Sequence, residues 1–178
     1  SNLPVIAQEY DYPSNEMLVS TTDTRGHITH CNSAFVQVSG FSYDELVGQP
    51  HNMIRHPDMP AEAFKDMWST VGRGRPWTGM VKNRRKDGSF YWVEANVTPI
   101  MEGGKPRGYM SVRTKPTRQQ VQDAEALYAR MRSERAANRP TFTLSGGTVR
   151  PLGWRGALAS LARVGMTQRY MLVLAVMV

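Results

Sequence analysis

The chain has 178 residues, of which 40% are hydrophobic, and this is enough for one ordinary domain and an appendage. The formal net charge is +7, but residues 1–116 carry a net of only +1, while residues 117–178 carry 9 Arg against 3 acids. A nearly neutral first part disfavours a nucleic-acid-binding domain. The single cysteine, Cys31, excludes an internal disulfide and is typical of a reducing compartment.

The first 116 residues combine strand and helix signals. Residues 1–16 are polar without clear periodicity and predict a flexible lead-in. Runs of strand-forming residues predict five strands, at residues 17–23, 27–31, 76–85, 89–100 and 107–114. The Asp-Gly pair between the third and fourth of these runs is a strong hairpin signal.

Four short helical segments are predicted between the second and third strands. Asn32 is a good N-cap for the first, and Ser42 with Glu45 forms a capping box for the second. The proline-bounded stretch 50–60 follows, and residues 61–71 have apolar side chains at helical spacing. This order predicts an α+β fold, with one antiparallel sheet and short helices over one face.

The remainder of the chain has a different character. Residues 117–139 predict an amphipathic linker helix. Residues 140–169 contain arginines but no acid, which predicts a basic juxtamembrane segment. Residues 170–178 end in eight apolar residues beside Tyr170, too few to span a bilayer. We interpret them as the start of a truncated transmembrane segment rather than as a buried core element.

Four motifs are distinctive: FVQVSGF at 35–41, GQPHNMIRHPDMP at 48–60, VKNRRKDG at 81–88 and GYMSVRT at 108–114. With these motifs the chain resembles a PAS domain and, more narrowly, the amino-terminal part of the bacterial aerotaxis receptors. The resemblance runs from about residue 18 to the end. It implies a PAS fold with a five-stranded antiparallel sheet in residues 17–116, and FAD bound non-covalently in that domain.

The resemblance also implies partners and a location. In these receptors a membrane anchor follows, then a HAMP segment and a helical signalling domain that acts on a histidine kinase through an adaptor. We therefore expect a homodimer in the full-length protein, attached through its C-terminal segment to the cytoplasmic face of the inner membrane. Nucleic acid is not expected as a partner.

The resemblance assigns flavin binding to Arg55, His56 and Asp58. A turn bounded by prolines holds its side chains in fixed directions, which suits a cofactor site. Arg55 can donate to a carbonyl edge or a phosphate, and Asp58 can fix Arg55 or His56 by a charged hydrogen bond. The alternative from the residues alone is that Asp58 caps the next helix and Arg55 is a solvated surface residue.

Three further residues are candidates for the cofactor site. Trp77 and Asn83 are an even number of residues apart on one predicted strand, so both can face the helices. Trp77 can stack on a flavin ring; the alternative is a core aromatic residue. The Asn83 amide can donate or accept, so it can keep a hydrogen bond to a ring nitrogen when the redox state changes. The alternative for Asn83 is a hydrated amide at the edge of the sheet. Asn32 is a secondary candidate, because its simplest role is the N-cap.

The resemblance, together with these residues, implies an FAD-binding redox or oxygen sensor of the aerotaxis type, and no enzyme is expected. His27, His30 and Cys31 do not have the spacing of a metal site, because the two histidines point to opposite faces of a strand. Two alternatives remain: a heme-binding PAS gas sensor with His51 or His56 as axial ligand, and a cofactor-free PAS module that only mediates dimerisation.

Overall fold

A computed structural model describes residues 2–152, which contain seven strands and four α-helices. The strands are β1 (Leu18–Asp23), β2 (Ile28–Cys31), β3 (Trp77–Arg84), β4 (Phe90–Glu102), β5 (Lys105–Thr114), β6 (Phe142–Ser145) and β7 (Thr148–Pro151). The helices are α1 (Ser33–Ser39), α2 (Tyr43–Leu46), α3 (Ala61–Gly72) and α4 (Arg118–Ala136), with a short 3-10 helix at His51–Ile54. The predicted start of a transmembrane segment, residues 170–178, lies outside the described residues.

Five strands form one antiparallel sheet in the order β2-β1-β5-β4-β3. The helices from α1 to α3 lie between β2 and β3 in the chain, so the predicted order of elements and the α+β fold are confirmed. The β3–β4 hairpin turns at the predicted Asp87-Gly88 pair, where Gly88 has a φ of 96° that favours glycine.

Two predicted helix caps are present. The Asn32 side chain accepts hydrogen bonds from the backbone N–H groups of Phe35, at 3.0 Å, and Val19, at 3.1 Å. It therefore joins the start of α1 to β1 in addition to capping the helix. Ser42 and Glu45 form the reciprocal capping box at the start of α2.

The main core lies between the sheet and the helices that cover its inner face. Its fully buried side chains come from strands and helices alike; they include Leu18, Phe35, Leu46, Ile54, Val71 and Val93. Strand alternation explains the pattern, because every second residue of β1, β4 and β5 points to this face.

Helix α4 packs against the opposite face of the sheet. The ring of Tyr128 stacks on that of Trp92, with centroids 6.2 Å apart, and its hydroxyl donates to the carbonyl of Met80 at 2.5 Å. The linker helix was predicted for residues 117–139, and α4 runs from Arg118 to Ala136 within that range. Among the described residues, no helix combines the length and apolar character needed to cross a bilayer.

Two segments differ from the sequence prediction. Residues 142–151 were assigned to a basic juxtamembrane segment, but they form the β6–β7 hairpin, whose turn contacts α3. The lead-in, predicted to be flexible, runs beside the β3–β4 hairpin. There the Ile6 N–H donates to the Gly88 carbonyl at 2.9 Å, and the Tyr10 N–H donates to the Phe90 carbonyl at 2.7 Å.

Candidate functional site

A cavity of about 170 Å³, open on one side, lies between the inner face of the sheet, α3 and the 3-10 helix. Its apolar walls come from α3 on one side and the sheet on the other: Phe64, Met67, Trp68, Val81, Ala95, Val97 and Tyr109. Two facing apolar walls form a slot that suits a flat ring.

Some polar groups of the cavity lack protein partners. In residues 2–152, seven buried side-chain nitrogen or oxygen atoms have no hydrogen-bond partner, and four of these belong to residues that line the cavity. The four atoms are Thr22 Oγ1, Arg55 Nε, Asn83 Nδ2 and Ser111 Oγ. Buried polar groups are rarely left unpaired, because each costs about 1–3 kcal/mol. Their grouping therefore indicates a place for a polar ligand edge.

The proline-bounded turn is attached directly to β3. Arg55 and Asn83 form an isolated antiparallel backbone bridge, and the His56 N–H donates to the Lys82 carbonyl at 3.2 Å. The guanidinium of Arg55 lies 3.5 Å from the centroid of the Phe64 ring on α3. Arg55 is thus held between the strand and the helix that wall the cavity, and burial lowers the pKa of its guanidinium.

A second cation, which the sequence did not predict, lies in the same cavity. Arg113 on β5 is 4% exposed, and its guanidinium donates to Ser20 Oγ at 2.9 Å and to His51 Nε2 at 2.6 Å. Burial lowers the pKa of Arg113 to about 10, so it stays charged at neutral pH. Burial, with the Arg113 charge second, lowers the pKa of His51 to about 3, which leaves a neutral acceptor.

The cavity is therefore electropositive. Arg55 and Arg113 line it together with Arg25, and no Asp or Glu occurs among the described residues that line it. A buried cation without a carboxylate partner is costly, and the cost falls when an anionic or electron-rich ligand occupies the same space. The strand alternation of GYMSVRT, with Tyr109, Ser111 and Arg113 on one face, was the signal that could have identified Arg113.

His56 and Asp58 lie beside the cavity and not in its lining. His56 is buried, and its Nδ1 accepts from the Asp58 backbone N–H at 3.0 Å. Burial, assisted by the positive charge of Lys82, lowers the pKa of His56 to about 4. The Asp58 carboxylate pairs with Lys82 at 2.8 Å and lies 3.7 Å from His56 Nδ1, so of its two predicted partners it approaches His56 and not Arg55. Both residues shape the turn that carries Arg55.

Trp77 and Asn32 also lie outside the cavity lining. The indole N–H of Trp77 donates to the Asp66 carboxylate at 2.8 Å, and its ring covers Gly79, where an added Cβ would lie 2.3 Å from the ring. Trp77 and Asn83 lie on the same strand at the predicted even separation, but this hydrogen bond directs the indole ring away from the cavity. Asn32 acts as the cap described above. A direct contact of either residue with a cofactor has no support from the lining.

Within residues 2–152, no group of three or more His, Cys, Asp or Glu side chains is placed to hold a metal ion. The polar side chains of the cavity are instead guanidinium groups, amides, hydroxyls and one histidine, and most of them can donate hydrogen bonds. Such a set, between apolar walls, can bind an organic ring with acceptor atoms at its edge.

Comparison with known proteins agrees with this architecture. Residues 28–113 match the family described as PAS fold. Over 97% of its length the chain is 46% identical to the aerotaxis receptor of Escherichia coli strain K12, and it spans 34% of that receptor.

Two solved structures share the fold. A PAS domain from Colwellia psychrerythraea is 27% identical with a TM-score of 0.53, covering 57% of this chain and 86% of its own. A light-oxygen-voltage domain is 21% identical with a TM-score of 0.55, covering 67% and 89%. The resemblance inferred from the motifs is therefore confirmed: residues 28–113 match the PAS fold, and nearly the whole chain is similar to part of an aerotaxis receptor.

Proposed function

We propose that this chain binds FAD in the cavity and serves as the redox or oxygen sensor of an aerotaxis-type chemoreceptor. The observation that carries the proposal is the set of four buried polar atoms without protein partners, Thr22 Oγ1, Arg55 Nε, Asn83 Nδ2 and Ser111 Oγ, inside an apolar slot. An isoalloxazine ring has flat apolar faces and a polar edge, and both match this lining. When bound, FAD supplies a ring that gains and loses electrons together with protons.

The residues of the chain have distinct tasks in this proposal. Asn83 presents an amide that can donate or accept, so it can satisfy a ring atom whose protonation changes. Arg55 offers several donors from a turn that is fixed to β3. Arg113 is a buried positive charge, and it stabilises extra negative charge on a ligand in the cavity.

The signal requires a difference in affinity. A bound group shifts a conformational equilibrium only as far as its oxidised and reduced forms differ in affinity for the two states. Asn83 and Arg113 are the residues that can produce this difference, since one changes its hydrogen bonding and the other responds to charge. Helix α3 and the sheet, which form the walls, are the elements that would respond.

The receptor setting is inferred from similarity. The relative from Escherichia coli is an aerotaxis receptor, and this chain spans about a third of its length. A light-oxygen-voltage domain of the same fold has been studied with a flavin analogue. We infer HAMP and kinase-control domains as partners in the full-length receptor, a homodimer, and a place at the cytoplasmic face of the inner membrane. The chain acts as a sensor and not as an enzyme.

A heme-binding gas sensor is the less favoured alternative. His51 lines the cavity, but its Nε2 accepts a hydrogen bond from the Arg113 guanidinium, and a cation at that position disfavours iron binding. His56 does not line the cavity, and its Nδ1 is engaged by the Asp58 N–H. A cofactor-free dimerisation module does not account for the unpaired donors.

The test is to release the chromophore from the purified chain by heat and to identify it by mass and absorption spectrum. The proposal predicts FAD in a ratio near one per chain, and a spectrum that bleaches reversibly on anaerobic reduction. Recovery of heme, of FMN or of a colourless protein without nucleotide would contradict it.

A further inference from the structure

Helix α3 contacts the cavity with one face and the β6–β7 hairpin with another. Phe64, Met67 and Trp68 on this helix line the cavity. Asp66 lies between them in the chain but contacts the post-sheet hairpin β6–β7. The helix thus connects the candidate cofactor site with the part of the chain that follows the PAS domain.

The Asp66 carboxylate is buried and surrounded by donors. Its Oδ2 accepts from the indole N–H of Trp77 at 2.8 Å and from the N–H of Gly147 at 2.7 Å. Its Oδ1 accepts from the N–H of Gly146 at 2.8 Å, with the Thr70 hydroxyl at 3.5 Å. Hydrogen bonds to an ionised group are about twice as strong as neutral ones, so this carboxylate holds the hairpin turn firmly.

The turn requires glycine at its second position. Gly146 and Gly147 have φ values of 60° and 83°, in the left-handed region that other residues rarely adopt. A Cβ on Gly147 would lie 1.9 Å from the carbonyl oxygen of Thr78 on β3, whereas a Cβ on Gly146 would meet no atom within 4 Å. The hairpin therefore lies against the edge strand and the Asp66 carboxylate at once.

Helix α4, which precedes this hairpin in the chain, also contacts the start of α3 and the turn before it. The Arg132 guanidinium donates to the Asp58 carbonyl, just before α3. The Arg135 guanidinium lies 3.5 Å from the Glu62 carboxylate in the first turn of α3. The segment after the sheet thus contacts the cavity-lining helix near its start and at its middle.

We propose that Asp66 couples the cavity to the segment following the PAS domain, because a shift of α3 changes the hydrogen bonds between the Asp66 carboxylate and the Gly146-Gly147 turn. We call this connection the latch. This inference rests on the proposed function, since a redox change in the cavity is the event that would move α3. Coupling of this kind is reciprocal, so release of the hairpin also changes the affinity of the cavity for its ligand.

The test measures amide hydrogen exchange of Gly146 and Gly147 in the purified chain with its bound chromophore, before and after anaerobic reduction. In the unmodified chain, reduction is expected to change the exchange rate of both amides severalfold. Asp66→Asn replaces one acceptor oxygen by an NH2 group, which cannot accept from the surrounding donors. Gly147→Ala adds a Cβ that collides with the carbonyl oxygen of Thr78. Each variant should raise exchange at these amides by about tenfold or more and abolish the response to reduction.

A control isolates the latch. Asp44→Asn removes an exposed carboxylate on α2 and should keep the response to reduction. If the chromophore is bound and reduced but the two amides do not respond in the unmodified chain, the latch is refuted and the sensor function stands. If no flavin is found by absorption, the proposed function itself fails.

Discussion

Arg55 and Asn83 are joined by an isolated backbone bridge, and each presents to the same cavity a nitrogen that has no acceptor in the described residues. One residue comes from the proline-bounded turn and the other from the third strand of the chain. Their pairing explains why a short turn of charged and imidazole side chains is held here: it fixes a cation against the sheet, at the polar end of an apolar slot.

Asn83→Ala is expected to weaken FAD binding roughly threefold to tenfold, the value of one buried hydrogen bond. The measurement is the dissociation constant of FAD from the reconstituted chain, by fluorescence titration. Asn96→Ala is the matched control, because Asn96 lies exposed on β4 and bonds to Thr78, away from the cavity. Equal losses in the two variants would show that Asn83 has no direct contact with the ligand.

Arg113→Met is expected to lower the two-electron reduction potential of the bound flavin by roughly 30–60 mV, because a buried cation favours the more negative reduced form. Spectroelectrochemical titration measures this potential. Arg107→Met, an exposed arginine of the same strand, should leave it unchanged. An unchanged or raised potential in Arg113→Met would contradict the electrostatic role.

The stability of the chain should fall as the pH decreases from about 6.5 to 4. The pKa values of His51 and His56 are lowered by burial to about 3 and 4, so the unfolded chain binds more protons than the folded chain in this window. Each histidine contributes a slope of up to about 1.4 kcal/mol per pH unit in the free energy of unfolding, and this stability is fully present only above the ordinary pKa of 6.5.

Urea unfolding at several pH values measures this slope. His56→Gln should reduce the slope by about half, since it removes one of the two groups. Gln37→Ala, which replaces an exposed side chain that has no titratable group, should not change it. An identical slope in His56→Gln and the unmodified chain would show that His56 is not held neutral by the fold.

Asn32→Ala is expected to lower the free energy of unfolding by about 1–2 kcal/mol without changing the FAD content of the folded chain. The side chain caps α1 and also bonds to β1, but it does not line the cavity. Thermal unfolding and absorption report the two quantities, and Asn15→Ala in an exposed turn is the control. Loss of flavin with unchanged stability would instead assign Asn32 to the site.

Most of the fold could be predicted because its signals are local. Asn32, Ser42 and Glu45 mark helix starts, and the Asp-Gly pair marks the long hairpin; each acts within a few residues. The β6–β7 hairpin was missed because its segment was interpreted from its lack of acids and its arginines rather than from strand signals, and each of its strands has only four residues. Its position depends on Asp66, which lies far away in the chain.

The site was predictable only in part, for a related reason. Arg55 was assigned from the resemblance and Asn83 from its face of the predicted strand, and the structure brings them together. Arg113 was not assigned, and His51 was considered only as a heme ligand, because their contact depends on how β5 and the turn meet in space. Trp77 shows the opposite failure: its strand face was predicted correctly, but its contact with Asp66 removes its ring from the cavity.

The most direct test of the account is a crystal structure of the purified chain with the chromophore it carries. The account predicts an isoalloxazine ring in the slot between α3 and the sheet, with ring atoms within hydrogen-bond distance of Asn83 Nδ2 and the Arg55 guanidinium. A slot filled by the side chains of the protein itself, or a ring bound elsewhere, would contradict it.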